Sequence, residues 1–367
     1  MGTNLQRLIP VVMGLMVCLG CSTYGANTVV SYYYYFYGPE ETLDVLDASV
    51  IAPENRALAN LERAVALLEL GRYEESLAAL ERAEADLGAP GATAALSISQ
   101  SKHGPWRPEV HERVLVSTIA MANSLALYDV QGAAAAADGA LAEIAEIGCG
   151  SCDFAFTRVL AALAYGGAGR FGDGIEALAD LVVIGRGEDL IAELRRRLET
   201  GVAGVQPAGL APPPVESERF VVAILLLGRG PYKETDELDV SPTETIRWSR
   251  YLPRDPQAVG WAAMDLEDPA ISVEFTDVEE LAVAGLGFRA QRVIAGEDSS
   301  VDPDTHDLRH WASLPASLQL LVVDIPPETD VVDLVYYSPE GFEIDRETLE
   351  LPADWWGGPI YVTRRMP

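Results

Sequence analysis

Two cysteines three residues apart have the spacing best suited to chemistry. Cys149 and Cys152 form a C-x-x-C motif, which lowers the pKa of a thiol and is used by redox-active pairs. Asp153 follows the motif, so the haem-attachment pattern, which needs histidine there, fails. A redox pair of the thioredoxin type starts a helix after a strand, whereas this motif lies in a glycine-rich break between two helical segments. We therefore expect a structural disulfide in an oxidising compartment, with redox chemistry as the alternative.

A second candidate for chemistry is a set of histidines and aspartates near position 306. His306 and His310 would lie on one face of a helix, and Asp302, Asp304 and Asp307 are close in sequence. Such groups can bind divalent cations, but loops rich in aspartate and proline are commonly solvated turns. A calcium loop starting at Asp302 would need glycine at its sixth position, which Asp307 occupies. A solvated turn is therefore predicted, and a metal site is the alternative.

A glycine-rich segment has a superficial likeness to a phosphate-binding loop. It runs Gly228-Arg229-Gly230-Pro231-Tyr232-Lys233. A nucleotide loop needs backbone amides that point at phosphate and a helix that starts directly after it. Pro231 removes one amide, and the residues after Lys233 are acidic. The segment is therefore predicted to be a tight turn between strands, and no cofactor is expected.

No catalytic residues can be assigned from the sequence. It contains no G-x-S-x-G motif, and no serine or cysteine is flanked as a nucleophile would be. Trp355 and Trp356 would suit an aromatic platform for a sugar or a peptide, although such a pair more often closes the core of a small domain. Carboxylates are so numerous that pairs of them identify no acid–base site. We expect that the protein is not an enzyme.

The charge balance excludes nucleic acid as a partner. The chain has 56 aspartate and glutamate residues against 26 lysine and arginine residues, which gives a net charge of −30. Binding to a phosphate backbone requires clustered lysine and arginine. The same charge repels anionic membrane surfaces, and it favours solubility and basic partners.

The N-terminal residues have the pattern of a secretion signal that ends in a lipidation site. An apolar run at 8–19 leads to Gly20, directly before Cys21. The run is shorter than the roughly 20 residues that a spanning helix needs and is typical of a signal peptide. A small residue before a cysteine is the pattern that signal peptidase II reads. Removal of residues 1–20 is therefore predicted, with Cys21 carrying a lipid anchor.

Two alternatives to lipidation remain open. One is ordinary secretory cleavage near Gly20 or Gly25, and the other is an uncleaved N-terminal anchor. The anchor-proximal segment 21–39 contains a run of aromatic residues at 32–37. These side chains would suit a membrane interface, but we expect them to pack on the first helices.

Between residues 40 and 200 the sequence predicts helices that pair into hairpins. Alanine, leucine, glutamate and arginine dominate, and apolar residues recur at intervals of three and four. Breaks with similar local sequences occur at Gly71-Arg72-Tyr73, at Tyr128 and at Gly169-Arg170-Phe171. Each break predicts a turn between two helices, and six or seven helices are expected.

These hairpins resemble tetratricopeptide (TPR) repeats, most clearly at 68–83. The resemblance assigns a turn glycine, an aromatic residue after it and three inward-facing positions, namely Gly71, Tyr73, Ser76, Leu80 and Ala83. Successive turns are 57 and 41 residues apart, whereas tandem TPR repeats recur at about 34 residues. An irregular α-solenoid is therefore expected.

A stretch rich in proline separates the helices from a region of different periodicity. Residues 201–216 are predicted to be a linker, because proline fixes φ and lacks an amide donor. Short apolar runs then have the length of strands. Strands are expected at 220–227, 271–275, 318–323, 331–337 and 360–362, and one helix at 278–294. The predicted fold class is α + β multidomain, with the TPR-like solenoid at 40–200 and an α+β domain with a mostly antiparallel sheet at 217–367.

The whole layout resembles a family of bacterial lipoproteins of unknown function, which have an anchor, TPR-like helices and a β-rich C-terminal region. Short motifs along most of the chain carry the resemblance: Gly38 with its following acidic helix, Gly71-Arg72-Tyr73, Gly104-Pro105-Trp106 leading to Glu112-Arg113-Val114, Gly228-x-Gly230-Pro231-x-Lys233, and Asp307-x-Arg309-x-Trp311-x-x-Leu314-Pro315. The resemblance implies this architecture and brings no activity with it.

These features together predict an interaction or assembly protein of the bacterial cell envelope. Its TPR-like half would bind a protein partner in a groove lined by helices. The alternative is an envelope polymer-binding or polymer-modifying protein with a site in the C-terminal domain. Ser22, rather than aspartate, follows Cys21, which favours the outer membrane, facing the periplasm.

Overall fold

The computed structural model describes residues 34, 37–87, 106, 108–148, 154–184, 188–201, 219–241, 244–252, 259–265, 271–277, 310–326, 328–352 and 358–366. The chain forms two compact units. The first unit comprises Met1–Glu109, Pro231–Leu252 and Leu286–Leu314, and the second comprises Val110–Gly230, Pro253–Gly285 and Pro315–Pro367. The domain boundaries drawn from the sequence, at 40–200, 201–216 and 217–367, stay a prediction.

The described residues between 39 and 200 form eight α-helices. They are α1 (Pro39–Ala48), α2 (Arg56–Glu69), α3 (Tyr73–Leu87), α4 (Val110–Ala126), α5 (Val130–Ile147), α6 (Ala155–Gly167), α7 (Phe171–Ile184) and α8 (Glu188–Thr200). The prediction of a helical region is confirmed, but the predicted number of six or seven helices is too low. A 3-10 turn at Pro53–Asn55 separates the short helix α1 from α2.

The three helix breaks predicted from sequence are confirmed as turns of one kind. Gly71 joins α2 to α3, Tyr128 joins α4 to α5, and Gly169 joins α6 to α7, with φ angles of 69°, 57° and 74°. In each turn this residue donates its N–H to the carbonyl three residues earlier, and the next residue donates to the carbonyl five residues earlier. This is the Schellman arrangement that ends many helices. We call α2–α3, α4–α5 and α6–α7 the first, second and third hairpins.

In all three hairpins the residues at the same three positions after the turn are buried. In the first hairpin, the three inward positions predicted at Ser76, Leu80 and Ala83 are confirmed as buried, and the Ser76 hydroxyl donates to the Ala64 carbonyl at 2.7 Å. The equivalent residues of the second and third hairpins are also buried: Ala133, Ala137, Ala140, Gly174, Leu178 and Leu181. Small residues at the first of these positions allow the two helices to approach closely.

The first unit combines α1–α3 with a β-hairpin. Strand β2 (Tyr232–Ser241) pairs antiparallel with β3 (Glu244–Leu252). The sequence does not predict β2, because its residues are mostly charged and lack an apolar alternation. In α2, by contrast, the apolar stripe that the sequence predicts is buried, with Leu61, Ala64 and Leu68 at most 1% exposed.

The described residues of the second unit form two sheets. One has the order β5-β6-β1-β9 and the other the order β4-β7-β8. The strands are β1 (Arg219–Leu227), β4 (Trp261–Asp265), β5 (Ile271–Asp277), β6 (Ser317–Asp324), β7 (Val331–Tyr337), β8 (Glu343–Glu350) and β9 (Gly358–Met366). All five predicted strands are confirmed, and so is a mostly antiparallel arrangement, in which β1 and β9 form a parallel pair. Strands β4 and β8 were not predicted, because they are short or highly charged.

The core of the second unit lies between its two sheets. Side chains of β1, including Val221, Ala223 and Leu225, join those of the three-stranded sheet, including Met264 and Leu334, in one buried apolar cluster. Helices α4 and α6 contact the four-stranded sheet, and the hydroxyl of Thr363 on β9 donates to the Ala122 carbonyl at 3.2 Å. The predicted helix at 278–294 and linker residues 202–216 lie outside the described residues.

Candidate functional site

A cleft of about 340 Å³ opens in the first unit between α1 and the first hairpin. Its apolar lining consists of Leu43 on α1, Leu67 on α2 and Ala78 on α3. Leu43 and Leu67 are 8% and 3% exposed, so they form a buried floor, whereas the rim is exposed. Three consecutive helices thus build a recess that has an apolar base and polar sides.

The two walls of this cleft carry opposite charge. The α1 wall presents Glu40, Asp44 and Asp47, whose spacing of four and three residues places them on one face of the helix. The wall formed by the first hairpin presents three arginines, together with Glu75. These arginines are Arg63, Arg72 and Arg82.

Part of this charge is already paired within the cleft. Arg63 on α2 forms an ion pair with Asp47 on α1. Arg72 donates from Nε and Nη2 to the two carboxylate oxygens of Glu75, at 2.7 and 2.6 Å. These hydrogen bonds hold the pKa of Glu75 below its ordinary value, so that carboxylate stays charged. Among the described residues no ion pair involves Arg82.

In the third hairpin, in the second unit, Arg170 is equivalent to Arg72 and contacts a neighbouring helix as well as its own. Arg170 donates from Nε to Asp173 at 2.6 Å, as Arg72 does to Glu75. Its two terminal nitrogens also donate to Asp138 on α5, at 2.8 and 3.0 Å. The Tyr165 hydroxyl donates to the same carboxylate at 2.8 Å, and the guanidinium lies 4.4 Å from the centre of the Tyr165 ring. These contacts attach the second hairpin to the third.

A second surface whose side chains could bind a ligand lies on the three-stranded sheet of the second unit. Trp261 and Tyr337 are cross-strand partners whose rings stack with centroids 4.1 Å apart and planes 12° apart. Trp261 is 37% exposed. Arg346, on the neighbouring strand β8, binds Asp265 on β4 at 2.7 Å and Asp333 on β7 at 3.0 Å. This surface therefore combines an aromatic pair with a network of exposed charges.

Two of the carboxylates around Arg346, those of Asp333 and Glu343, have a lowered pKa. Hydrogen bonds from Thr348 and then from Arg346 lower the pKa of Asp333, and a hydrogen bond from Arg346 lowers the pKa of Glu343. A general acid needs a raised pKa instead. These groups therefore suit ionic binding better than proton donation.

Two buried interactions of charged side chains, both missed by the sequence analysis, organise the first unit. Glu62 on α2 accepts the backbone N–H groups of Ala312 and Ser313, at 2.7 and 3.0 Å. Lys233 donates to Glu109 at 2.7 Å, and both side chains are buried. A charged residue within the apolar stripe of α2 was a signal for Glu62. No local signal marks the second pair, whose members are 124 residues apart in sequence.

Few of the residues singled out from sequence can be located. The glycine-rich segment joins β1 to β2, which confirms a connection between strands and excludes a helix after Lys233. His310 is buried and belongs to no helix or strand. The lipid-attachment site, the predicted disulfide, the other metal candidate and the tryptophan pair lie outside the described residues: Cys21, Cys149, Cys152, His306, Trp355 and Trp356.

The described part of the chain was compared with the requirements of a metal site and of a membrane-spanning helix. Within it, no group of three or more histidine, cysteine, aspartate or glutamate side chains is placed to hold a metal ion. None of its helices combines the length and apolar character that crossing a membrane requires.

Comparisons with known proteins identify no family. No protein-family model matches the chain, and no curated protein matches it. Two solved structures are similar to 47% of it, each at 16% identity: MamA 41-end from Desulfovibrio magneticus RS-1, covering 87% of that chain with a TM-score of 0.33, and the MamA RS-1 ArsTM double mutant, covering 90% with a TM-score of 0.32. TM-scores this low do not establish a shared fold.

Proposed function

We propose that the protein is a lipid-anchored interaction or assembly protein of the bacterial cell envelope, and that it binds a protein partner in the cleft between α1 and the first hairpin. The cleft itself carries the proposal, because a recess with a buried apolar floor and charged walls suits a protein segment. The recurring TPR-like hairpins support an irregular α-solenoid, an architecture whose surfaces commonly bind other proteins.

Copurification from the native envelope tests the binding function. The variant Leu67→Tyr fills the floor of the cleft with a larger ring and should lose the partner. Ala145→Tyr, at an exposed position of α5 in the second unit, adds the same ring elsewhere and should retain it. A partner recovered equally with wild type and with Leu67→Tyr would contradict the use of the cleft.

The proposed location rests on the N-terminal sequence. Cys21 would carry the lipid at the periplasmic side of the outer membrane, a compartment in which a disulfide between Cys149 and Cys152 would persist. Mass spectrometry of the mature N-terminus from native membranes tests this directly. A lipid-modified peptide that starts at Cys21 is expected, whereas an unmodified peptide that starts elsewhere would overturn the anchor.

A second candidate function is binding to an envelope polymer. The observation that favours it is the stacked pair Trp261 and Tyr337 beside the exposed charges around Arg346. Aromatic rings offer apolar faces, and charged groups offer hydrogen bonds. Polymer retention that depends on Trp261 and is insensitive to Leu67→Tyr would support this function over partner binding.

A further inference from the structure

The first and third hairpins differ in which side chains contact the arginine after the turn. Residue 72 is equivalent to 170, and 67 is equivalent to 165, because both pairs have the same distance from the turn glycines. In the third hairpin a neighbouring helix supplies Asp138 to Arg170, and Tyr165 lies under the guanidinium. In the first hairpin Leu67 replaces that tyrosine, and Nη1 of Arg72 has no hydrogen-bond partner among the described residues.

This difference indicates which chemical group the hairpin wall of the cleft can bind. Arg72 and Leu67 both line the open space, on the side that corresponds to the one covered by α5 in the third hairpin. The contact between Asp138 and Arg170 shows that an arginine at this position can donate two hydrogen bonds to a carboxylate on a helix lying alongside it. Arg82, on the same wall, provides a second cation.

The opposite wall requires the opposite charge. Glu40 and Asp44 are exposed on the cleft face of α1, whereas Asp47 is already paired with Arg63. A carboxylate placed against this wall would be repelled, and a lysine or arginine would be attracted. The floor between the walls is apolar, so it favours a small or branched apolar side chain.

We propose that the cleft binds a helical segment of a partner protein that carries carboxylates along one flank, basic side chains along the other, and apolar residues between them. The proposal rests on the proposed function and specifies the chemistry of the partner. The carboxylate flank contacts Arg72 and Arg82, and the basic flank contacts Glu40 and Asp44. The apolar seam covers Leu43 and Leu67.

Three synthetic peptides of about 16 residues, long enough to form a helix in water, test this chemistry on the full chain. They share one alanine–leucine seam. The first has glutamate on one flank and lysine on the other, the second has glutamate on both, and the third has lysine on both. The mixed peptide is expected to bind at least about fivefold more tightly than either of the others, as measured by fluorescence anisotropy.

Two matched substitutions locate the binding. Arg72→Glu removes a cation from the arginine wall and places a second carboxylate there beside Glu75, so it should weaken the mixed peptide about fivefold and strengthen the lysine peptide. Arg196→Glu breaks a similar exposed pair with Glu193 on α8 and should change neither affinity. Leu67→Tyr should abolish binding of the mixed peptide.

Several results would overturn the inference. They are equal binding of the lysine peptide and the mixed peptide to wild type, no binding of any peptide, and no effect of Leu67→Tyr on the mixed peptide. A native partner that requires the cleft in copurification, combined with any of these results, would leave the proposed function standing and remove only this partner chemistry. A native partner indifferent to Leu67→Tyr would remove the proposed function itself.

Discussion

The first and third hairpins begin from almost the same local sequence and put it to different uses. Both turns have a glycine, then an arginine, then an aromatic residue, and in both the arginine binds an acid three residues further on. In the third hairpin this arginine also bridges to the preceding hairpin through Asp138. In the first hairpin it lines an open cleft. Local sequence therefore sets the turn, while the neighbouring helix decides whether the same side chain stabilises the fold or remains available for binding.

The largest expected effect comes from removing the tyrosine that closes the third hairpin. Tyr165→Leu loses a hydrogen bond to a charged carboxylate and a cation–π contact with Arg170. We expect the free energy of unfolding to fall by about 2 to 3 kcal/mol, measured by urea denaturation. A change below about 0.5 kcal/mol, the usual size of a surface substitution, would show that the two hairpins are not joined through this residue.

Exchanging the residues at equivalent positions 76 and 174, three residues after the aromatic, should lower the stability by a smaller amount in both hairpins. Ser76→Gly in the first hairpin removes the hydroxyl bond to Ala64 and places glycine in a helix, at a cost of about 1.5 to 2 kcal/mol. Gly174→Ser in the third hairpin puts a Cβ 3.1 Å from the Ala162 carbonyl oxygen, at a cost of about 1 to 2 kcal/mol. Thermal unfolding should show both variants less stable than wild type. A neutral Ser76→Gly would mean that the hydrogen bond to Ala64 does not stabilise the first hairpin. A neutral Gly174→Ser would mean that the third hairpin has room for a side chain at this position.

The dependence of stability on pH distinguishes the Arg170–Asp138 contact from the Arg72–Glu75 contact. Hydrogen bonds from Arg170 hold the pKa of Asp138 below its ordinary value of 3.8. A lowered pKa means that the stabilisation is complete above this ordinary value and is lost as the pH falls below it. Asp138→Asn should therefore flatten the acid limb of the stability profile. Glu75→Gln, at the exposed pair with Arg72, should change it less, and the reverse order would contradict the comparison.

The smallest expected effect on stability is that of Leu67→Tyr. The cleft has room for the larger ring, and the first hairpin then carries the residue that the third has at the equivalent position. The free energy of unfolding should change by less than about 1 kcal/mol, as measured by urea denaturation. A larger loss would mean that Leu67 packs tightly in the core, and the variant could not serve as a specific block of the cleft.

The helical hairpins were predictable because their signals are local. Glycine permits the positive φ at Gly71 and Gly169, and apolar spacing identifies the buried faces of the helices. Tyr128 was placed correctly although it is not glycine, since the residues on either side of it carry the same pattern. Strand β2 was missed because charged residues dominate it.

The cleft itself was not predictable from the sequence. It depends on position 67 being leucine, whereas the equivalent position 165 of the third hairpin is tyrosine. It also depends on α1 lying beside α2, so that Asp47 forms an ion pair with Arg63. Both facts concern packing between elements, which periodicity does not report. The buried pair of Lys233 and Glu109 was missed for the same reason. The sequence signal that was available, an arginine directly after each turn glycine, points to the wall of the cleft without indicating that it is open.

Site-specific photo-crosslinking tests the central claim that the cleft binds a protein partner. A photoreactive residue placed at Ala78, in the lining of the cleft, is expected to capture one protein in native cells, and Leu67→Tyr should abolish that product. The same photoreactive residue at Ala145, exposed on α5, should not capture it. A product that forms equally from Ala78 and Ala145, or that persists with Leu67→Tyr, would contradict the account.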